Sequence, residues 1–246
     1  MVQNPEPANS ALSTNKVPHL SRSSLDLTQI EIIRLRRHTK PALNLVRWKG
    51  RAALLKDYKN TAPLYRQTIG FILRAREAKV LEQLQGLAGM TQILARIDLD
   101  AILVDYVEGE AVGPWNRRGN AIPAGFFEKA KELVLAMHRR GVLHLDLSSR
   151  RNIIITHDLQ PHIVDFNSAI TRNELNRWAG WTWEFLTGMD HTGLLRLKAK
   201  LARDQMTDTE WKTLQVTGTW HRLWPFRRAS RGLKKLLRPS RNATRN

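Results

Sequence analysis

The chain has 246 residues, enough for one large domain or two small ones, and its 42% hydrophobic and 25% charged residues match a soluble globular protein. It holds no cysteine, which excludes disulfides and thiolate metal sites, and no apolar run approaches the ~18 residues of a bilayer span. Lys+Arg 40 against Asp+Glu 22 gives +18, a balance that points to an anionic partner: a nucleic acid, a membrane surface or a phosphorylated substrate.

Residues 1–28 are polar and rich in Ser, Asn and Pro, so this segment is expected to be disordered. It lacks the apolar core of a secretory signal, and the cytoplasm is the expected compartment. "ALNLVRWKGRAALLKDY" reads as two strands around a Lys49-Gly50 turn, the second ending on Lys56. A helix follows over roughly residues 65–86, with Ile69, Leu73, Val80, Leu81 and Leu84 as its apolar stripe. Glu77 lies four residues from both Leu73 and Leu81, within that stripe. A carboxylate facing a core is costly without a cation, so Glu77 is expected to meet one.

Two more strands, "TQILARI" and "AILVDYV", lead into "EGEAVG", which reads as a loop. Residues 123–140 read as a helix with Phe127, Ala130, Leu133, Val134 and Met137 on one face and Gly141 as its stop. Then comes "HLDLSSRRNIII", which puts an Asp and two adjacent Arg ahead of an apolar run, followed by a hairpin of "NIIIT" and "HIVDF" joined by "HDLQP". The rest reads as helical near residues 171–187, 190–203 and 208–216.

Three signals now fall in one order: a strand Lys (Lys56), a helix Glu (Glu77), and an Asp-containing loop before a strand that ends on Asp165. Phosphoryl transfer from ATP needs such parts. A cation holds the phosphates, an acid holds the cation, carboxylate and amide oxygens hold Mg²⁺, and a carboxylate orients the acceptor hydroxyl.

Here the chain resembles the protein-kinase-like superfamily. His144-Leu145-Asp146-Leu147 with Asn152 is similar to the catalytic loop, Asp165-Phe166-Asn167 to the metal-binding D-F-G, and "LVDYVEGE" to the hinge that receives adenine. Lys56 in "AALLKDY" and Glu77 in "REAKVLEQL" look like the ion pair of that family. Within the superfamily the strings are most similar to the small bacterial lipopolysaccharide-kinase and RIO-like group, over about residues 40–200. The resemblance implies an α+β, two-lobed atypical protein-kinase-like fold. Its N-lobe would be a small antiparallel β-sheet of five strands, and its C-lobe helical and shortened. It also implies roles: Asp146 as base or acceptor-orienting acid, Asn152 and Asp165 on Mg²⁺, Lys56 on the ATP phosphates, Glu77 orienting Lys56, and the backbone of Asp105 and Val107 meeting adenine.

The pattern has departures. One more residue separates Asp146 from Asn152 than in the usual loop, and no glycine stands between Leu35 and Lys49. Arg36, Arg37 or Lys40 are candidates to cover the phosphates in place of a glycine-rich loop. Asn167 replaces Gly, as a residue that tolerates a left-handed backbone, and Leu145 replaces the loop Arg. No A-P-E follows, so control by activation-loop phosphorylation is not expected. His144 reads as a residue that bonds the loop backbone, and Arg150 and Arg151 are equally read as a solvated turn or a phosphate contact.

Ten of the 40 cations, Lys212 through Arg245, follow the last acid, Glu210. In the tail, Trp220, Leu223, Trp224, Phe226, Leu233, Leu236 and Leu237 alternate with basic residues, which suits an anionic membrane surface first and nucleic acid second. The expected organisation is a disordered segment (1–28), an N-lobe (29–108), a C-lobe (109–216) and a basic amphipathic tail (217–246). The expected activity is ATP- and Mg²⁺-dependent phosphorylation of a hydroxyl, an anionic acceptor or glycolipid sugar, at the cytoplasmic face of the inner membrane. A RIO-like protein Ser/Thr kinase and an inactive pseudokinase that binds a partner are the alternatives.

Overall fold

In the computed structural model, which describes residues 17–24, 28–34, 41–59, 61, 69–175 and 181–222, the first half of the chain is mostly strand. β1 (His19–Leu20), β2 (Thr28–Arg34), β3 (Ala42–Trp48) and β4 (Arg51–Asp57) come first, then the helix α1 (Ile69–Gln83), then β5 (Ile93–Ile97) and β6 (Ala101–Asp105). The strands form one sheet in the order β1-β5-β6-β4-β3-β2. β3 and β4 join through Lys49-Gly50, whose φ values of 48° and 78° give the turn geometry that matches hairpin twist. Alternation along the strands then sorts the faces. Ala101 and Leu103 pack with Val46, Ala53 and Leu55 on one side. Ile102 and Val104 pack with Ala78, Val80, Leu81 and Leu84 of α1 on the other.

Two expectations for this half are corrected. The sheet has six strands rather than five, and β1 runs parallel to β5 in an otherwise antiparallel sheet. β1 also falls within the segment expected to be disordered. The carbonyls of Pro18 and Leu20 accept N–H bonds from Arg96 and Asp98 at 2.9 and 3.1 Å. Arg22 holds Asp57 with both terminal nitrogens at 2.7 and 3.1 Å. A two-residue strand is too short to leave any periodicity in the sequence. Residues 1–16 and 25–27, like Arg36, Arg37 and Lys40, lie outside the described residues.

The second half contains β7 (Gly109–Ala111), α2 (Val112–Arg117), α3 (Phe126–Arg139), β8 (Val142–Leu143), β9 (Ile153–Thr156), β10 (Pro161–Ile163), β11 (Ile170–Thr171), α4 (Arg172–Leu175), α5 (Trp181–Leu201) and α6 (Asp208–Arg222). Strands here form two small sheets, β10-β9-β7 and β11-β8. Phe126, Phe127, Ala130, Val134 and Met137 of α3 are buried with Ile153, Ile155 and Ile163 of the hairpin and Leu194 and Leu197 of α5. The fold is therefore α+β. Among the described residues no helix is long and apolar enough to cross a membrane.

"EGEAVG", read as a loop, is instead β7 running directly into α2, because Gly109-Glu110-Ala111 pairs with Thr156-Ile155-Ile154. The two helices expected over 171–187 and 190–203 are α4 and one continuous α5, which runs through Gly188, since a glycine costs only about 1 kcal/mol in a helix that packing holds. α6 runs past residue 216, into the segment expected to be tail. It starts on a capping box: Glu210 N–H donates to Thr207 Oγ1 at 3.2 Å and Thr207 N–H to Glu210 Oε2 at 2.9 Å. The tail from residue 223 onward lies outside the described residues.

Candidate active site

The sheet and the helical half face each other across a cleft of about 180 Å³. Pro41, Leu43, Leu54 and Val104 form one apolar wall, Ile154 and Val164 the other, and Asp105, Tyr106 and Val107 cross between them. Lys56, Thr91, Asp165 and Asn167 supply the polar groups. A cleft with apolar walls and a few polar groups suits an aromatic ring that carries a charged substituent. Of these residues the sequence reading named Lys56, Asp105, Val107, Asp165 and Asn167. The apolar walls it missed, because their alternating pattern is that of any half-buried strand.

Lys56 comes from β4 and Glu77 from α1, and the structure joins them in a salt bridge between Nζ and Oε1. Lys56 is 8% exposed and Glu77 1% exposed. Removing one member of an ion pair this buried costs about 3–5 kcal/mol. The pair therefore fixes an ammonium at the cleft.

Asp146 and Asn152 stand on the connection from β8 to β9. His144 is fully buried and accounts for the loop's shape. Its Nε2–H donates to the Val164 carbonyl at 3.1 Å, its Nδ1 accepts the Asp146 N–H at 3.3 Å, and its ring packs on Phe166 with centroids 4.9 Å apart. Leu145 then turns with φ 62°, a left-handed conformation that an L-residue holds only when its surroundings fix it. Asn152 is 3% exposed and reaches back: its Nδ2 donates to the Asp146 carbonyl at 3.0 Å and to Asp146 Oδ2 at 3.1 Å. Its own backbone carbonyl accepts the Val164 N–H at 2.9 Å. The additional residue before Asn152 is thus taken up in the turn, and the two side chains still meet.

What fixes Leu145 is Asp190 of α5, which the sequence reading overlooked. Its Oδ2 accepts the His144 N–H at 2.8 Å and its Oδ1 the Leu145 N–H at 2.7 Å, while His138 Nε2 lies 3.0 Å from Oδ2. Asp190 is 1% exposed. A usable signal was present: Asp190, Leu194, Leu197 and Leu201 follow helical spacing on one stripe, the pattern that singled out Glu77. Gly193 lets the helix come close, since a Cβ there would sit 3.3 Å from Ser148 N.

Asp165 is exposed at the cleft, with φ 65° and ψ 68°. This corrects one expectation: the left-handed residue of Asp165-Phe166-Asn167 is Asp165, whereas Asn167 lies in a short 3₁₀ turn over Phe166–Ser168. Asn167 Nδ2 instead donates to Asp165 Oδ1, and the Tyr58 hydroxyl to Asn167 Oδ1 at 3.4 Å. Asn167 braces the carboxylate that a glycine would leave unsupported.

Asp105 ends β6 at the cleft wall. Its Oδ1 accepts the Gln92 N–H at 2.8 Å and its own N–H donates to the Gln92 carbonyl at 3.0 Å. Burial pushes its carboxyl up to about 6, against the lowering effect of the Gln92 hydrogen bond.

As a metal site the donor set is hard and sparse. Among the described residues no three His, Asp or Glu side chains converge. Asp165 offers carboxylate oxygen, and Asn152, whose amide nitrogen is directed at Asp146, offers its amide oxygen. Mg²⁺ keeps several waters and takes few protein ligands, so oxygen donors of this kind suit it, while zinc would want more. Compared with known families and with curated proteins, the chain matches no family model and no curated protein.

Proposed function

We propose that the chain is an ATP-dependent kinase of the two-lobed, protein-kinase-like kind, with the six-stranded sheet and α1 as N-lobe and the helical half as C-lobe. The observation that carries this reading is the buried Lys56–Glu77 pair, whose Lys56 lines an apolar-walled cleft together with Asp165. Lys56 would hold the α/β-phosphates, the apolar walls the adenine, and the backbone of Asp105 and Val107 its polar edge. Asp165 and Asn152 would hold Mg²⁺, which neutralises charge on the phosphates when bound.

In the reaction, the acceptor hydroxyl oxygen forms a bond to the γ-phosphorus as the bond from that phosphorus to the bridging oxygen breaks, and ADP leaves. The hydroxyl proton passes to the Asp146 carboxylate. Asn152 holds Asp146 through its hydrogen bond to Oδ2, and Asp190 holds the loop that carries it. The acceptor we favour is a sugar of lipopolysaccharide or of another lipid-linked glycan at the cytoplasmic membrane face. Its support is the resemblance to the lipopolysaccharide-kinase group and the basic, aromatic composition of residues 217–246.

The test is Mg²⁺-dependent ATP turnover by the full chain and by Asp146→Ala and Asp165→Ala, with and without anionic liposomes that carry lipid-linked core sugar. Loss of turnover in both variants and stimulation by the loaded liposomes are expected. ATP binding without turnover in the parent chain would sink the kinase reading and leave the pseudokinase, which the absence of glycine between Leu35 and Lys49 favours.

A further inference from the structure

The stretch Leu147-Ser148-Ser149-Arg150-Arg151 that links Asp146 to Asn152 is fixed at both ends and in its middle. Leu147 is 1% exposed and Asn152 3%. The Asn152 N–H donates to the Ser149 carbonyl at 3.3 Å, and the Arg151 N–H to Ser149 Oγ at 3.5 Å. Gly113 of α2 donates its N–H to the Arg150 carbonyl at 2.9 Å, and the helix comes so close that a Cβ at Gly113 would lie 2.7 Å from Arg150 Cβ. A loop anchored this way presents its outward side chains from a rigid base.

Those side chains are Arg150 and Arg151, both exposed and two positions or fewer from the end of the loop that begins at Asp146. Among the described residues neither forms an ion pair, whereas Arg22, Arg74, Arg76, Arg96 and Arg118 each meet an Asp or Glu. Arg117, also exposed, lies four residues from Gly113 on α2, the helix that meets the loop. Neighbouring guanidinium groups repel, and an anion between them relieves that repulsion while taking their planar forks two oxygens at a time.

We infer that Arg150 and Arg151 determine acceptor specificity by binding an anionic group, a phosphate or a carboxylate, that the acceptor carries beside its reacting hydroxyl. The acceptor part of this rests on the kinase reading; the anion site does not. It assigns a use to the residue that lengthens this loop: the added length accommodates two exposed arginines without pulling Asn152 away from Asp146.

The test titrates the full chain with glucose 6-phosphate, glucuronate and glucose, and with vesicles of phosphatidylglycerol or of phosphatidylcholine. The same titrations are run on Arg150→Gln/Arg151→Gln and Arg150→Lys/Arg151→Lys, and ATP binding and thermal melting are followed in each. The expected result is binding of the anionic probes but not of glucose, a fall of at least about tenfold in the Gln variant, and a smaller fall in the Lys variant, which keeps charge without the fork. ATP affinity and melting temperature stay unchanged. A difference confined to sugar phosphates assigns the anion to a soluble group, and one confined to phosphatidylglycerol assigns it to a lipid headgroup. Equal binding by parent and Gln variant, or no binding of any anionic probe by the parent, overturns the inference. Anion binding with no ATP turnover on any acceptor leaves the site standing and removes the kinase reading alone.

Discussion

Asp105→Asn replaces a partly buried carboxylate by a group of the same shape that cannot ionise. The asparagine Oδ1 can still accept the Gln92 N–H that Asp105 accepts at 2.8 Å, so the main loss is the charge. Burial raises the Asp105 carboxyl to about 6 in the folded chain, and in the unfolded chain it returns to the ordinary value near 3.8. Between those two values the folded state holds more protons than the unfolded state, so stability falls as pH rises through that window and is level above it. A shift of about two pKa units, at 1.36 kcal/mol per unit, makes the ionised carboxylate cost up to about 3 kcal/mol at pH 8. Urea unfolding of parent and variant, measured in steps from pH 4 to pH 8, should therefore give curves that agree at the acid end. The variant should become more stable by about 2–3 kcal/mol above pH 7. A difference that does not change with pH, or a parent that is the more stable at pH 8, would refute the argument that burial controls this group.

Asp190→Ala strands the buried amides of His144 and Leu145 and should cost about 2–5 kcal/mol, seen as a lower urea midpoint and as faster hydrogen exchange at those two amides. A loss under about 1 kcal/mol would mean that the loop does not depend on α5. Gly113→Ala drives a Cβ to within 2.8 Å of the Arg150 carbonyl, and overpacking of this kind costs about 1–3 kcal/mol; ATP turnover should fall with ATP affinity kept. Lys198 is 2% exposed at its side chain and binds Glu128 at 2.7 Å and Glu210 at 2.9 Å, whose side chains are 56% and 24% exposed. Lys198→Met leaves carboxylates that water can reach and should cost little by chemical denaturation. Glu128→Gln/Glu210→Gln leaves a buried ammonium without its acids and should cost about 3–5 kcal/mol.

The parts of this fold legible in the sequence are those where a local pattern and a global role coincide. Lys49-Gly50 between two apolar alternations fixes a hairpin, and the Ile153–Ile155 run ahead of a turn fixes another, because turn chemistry and strand periodicity act over a few residues. Glu77 was legible as half of a pair because a carboxylate on an apolar stripe demands an explanation. Asp190 had the same signature and went unread, since its partners are backbone amides, which leave no trace in a sequence. β1 was hidden for a related reason: its two residues are held by pairing with β5, and by Arg22 reaching Asp57 35 positions away. Helix ends near Gly188 were misjudged because packing against α3 outweighs the local preference of one glycine.

α5 carries both Asp190, which holds the loop of Asp146, and Lys198, which holds α6 through Glu210. These two attachment points are eight residues apart, about 12 Å along the axis. A helix between fixed points has a phase as well as a length. Inserting or deleting one residue between them would turn one anchor by about 100° relative to the other, and no side-chain adjustment spans that angle. The number of residues over 191–197 is therefore fixed as firmly as the buried Leu194 and Leu197 among them, and a variant of altered length there must give up either the loop or the terminal helix.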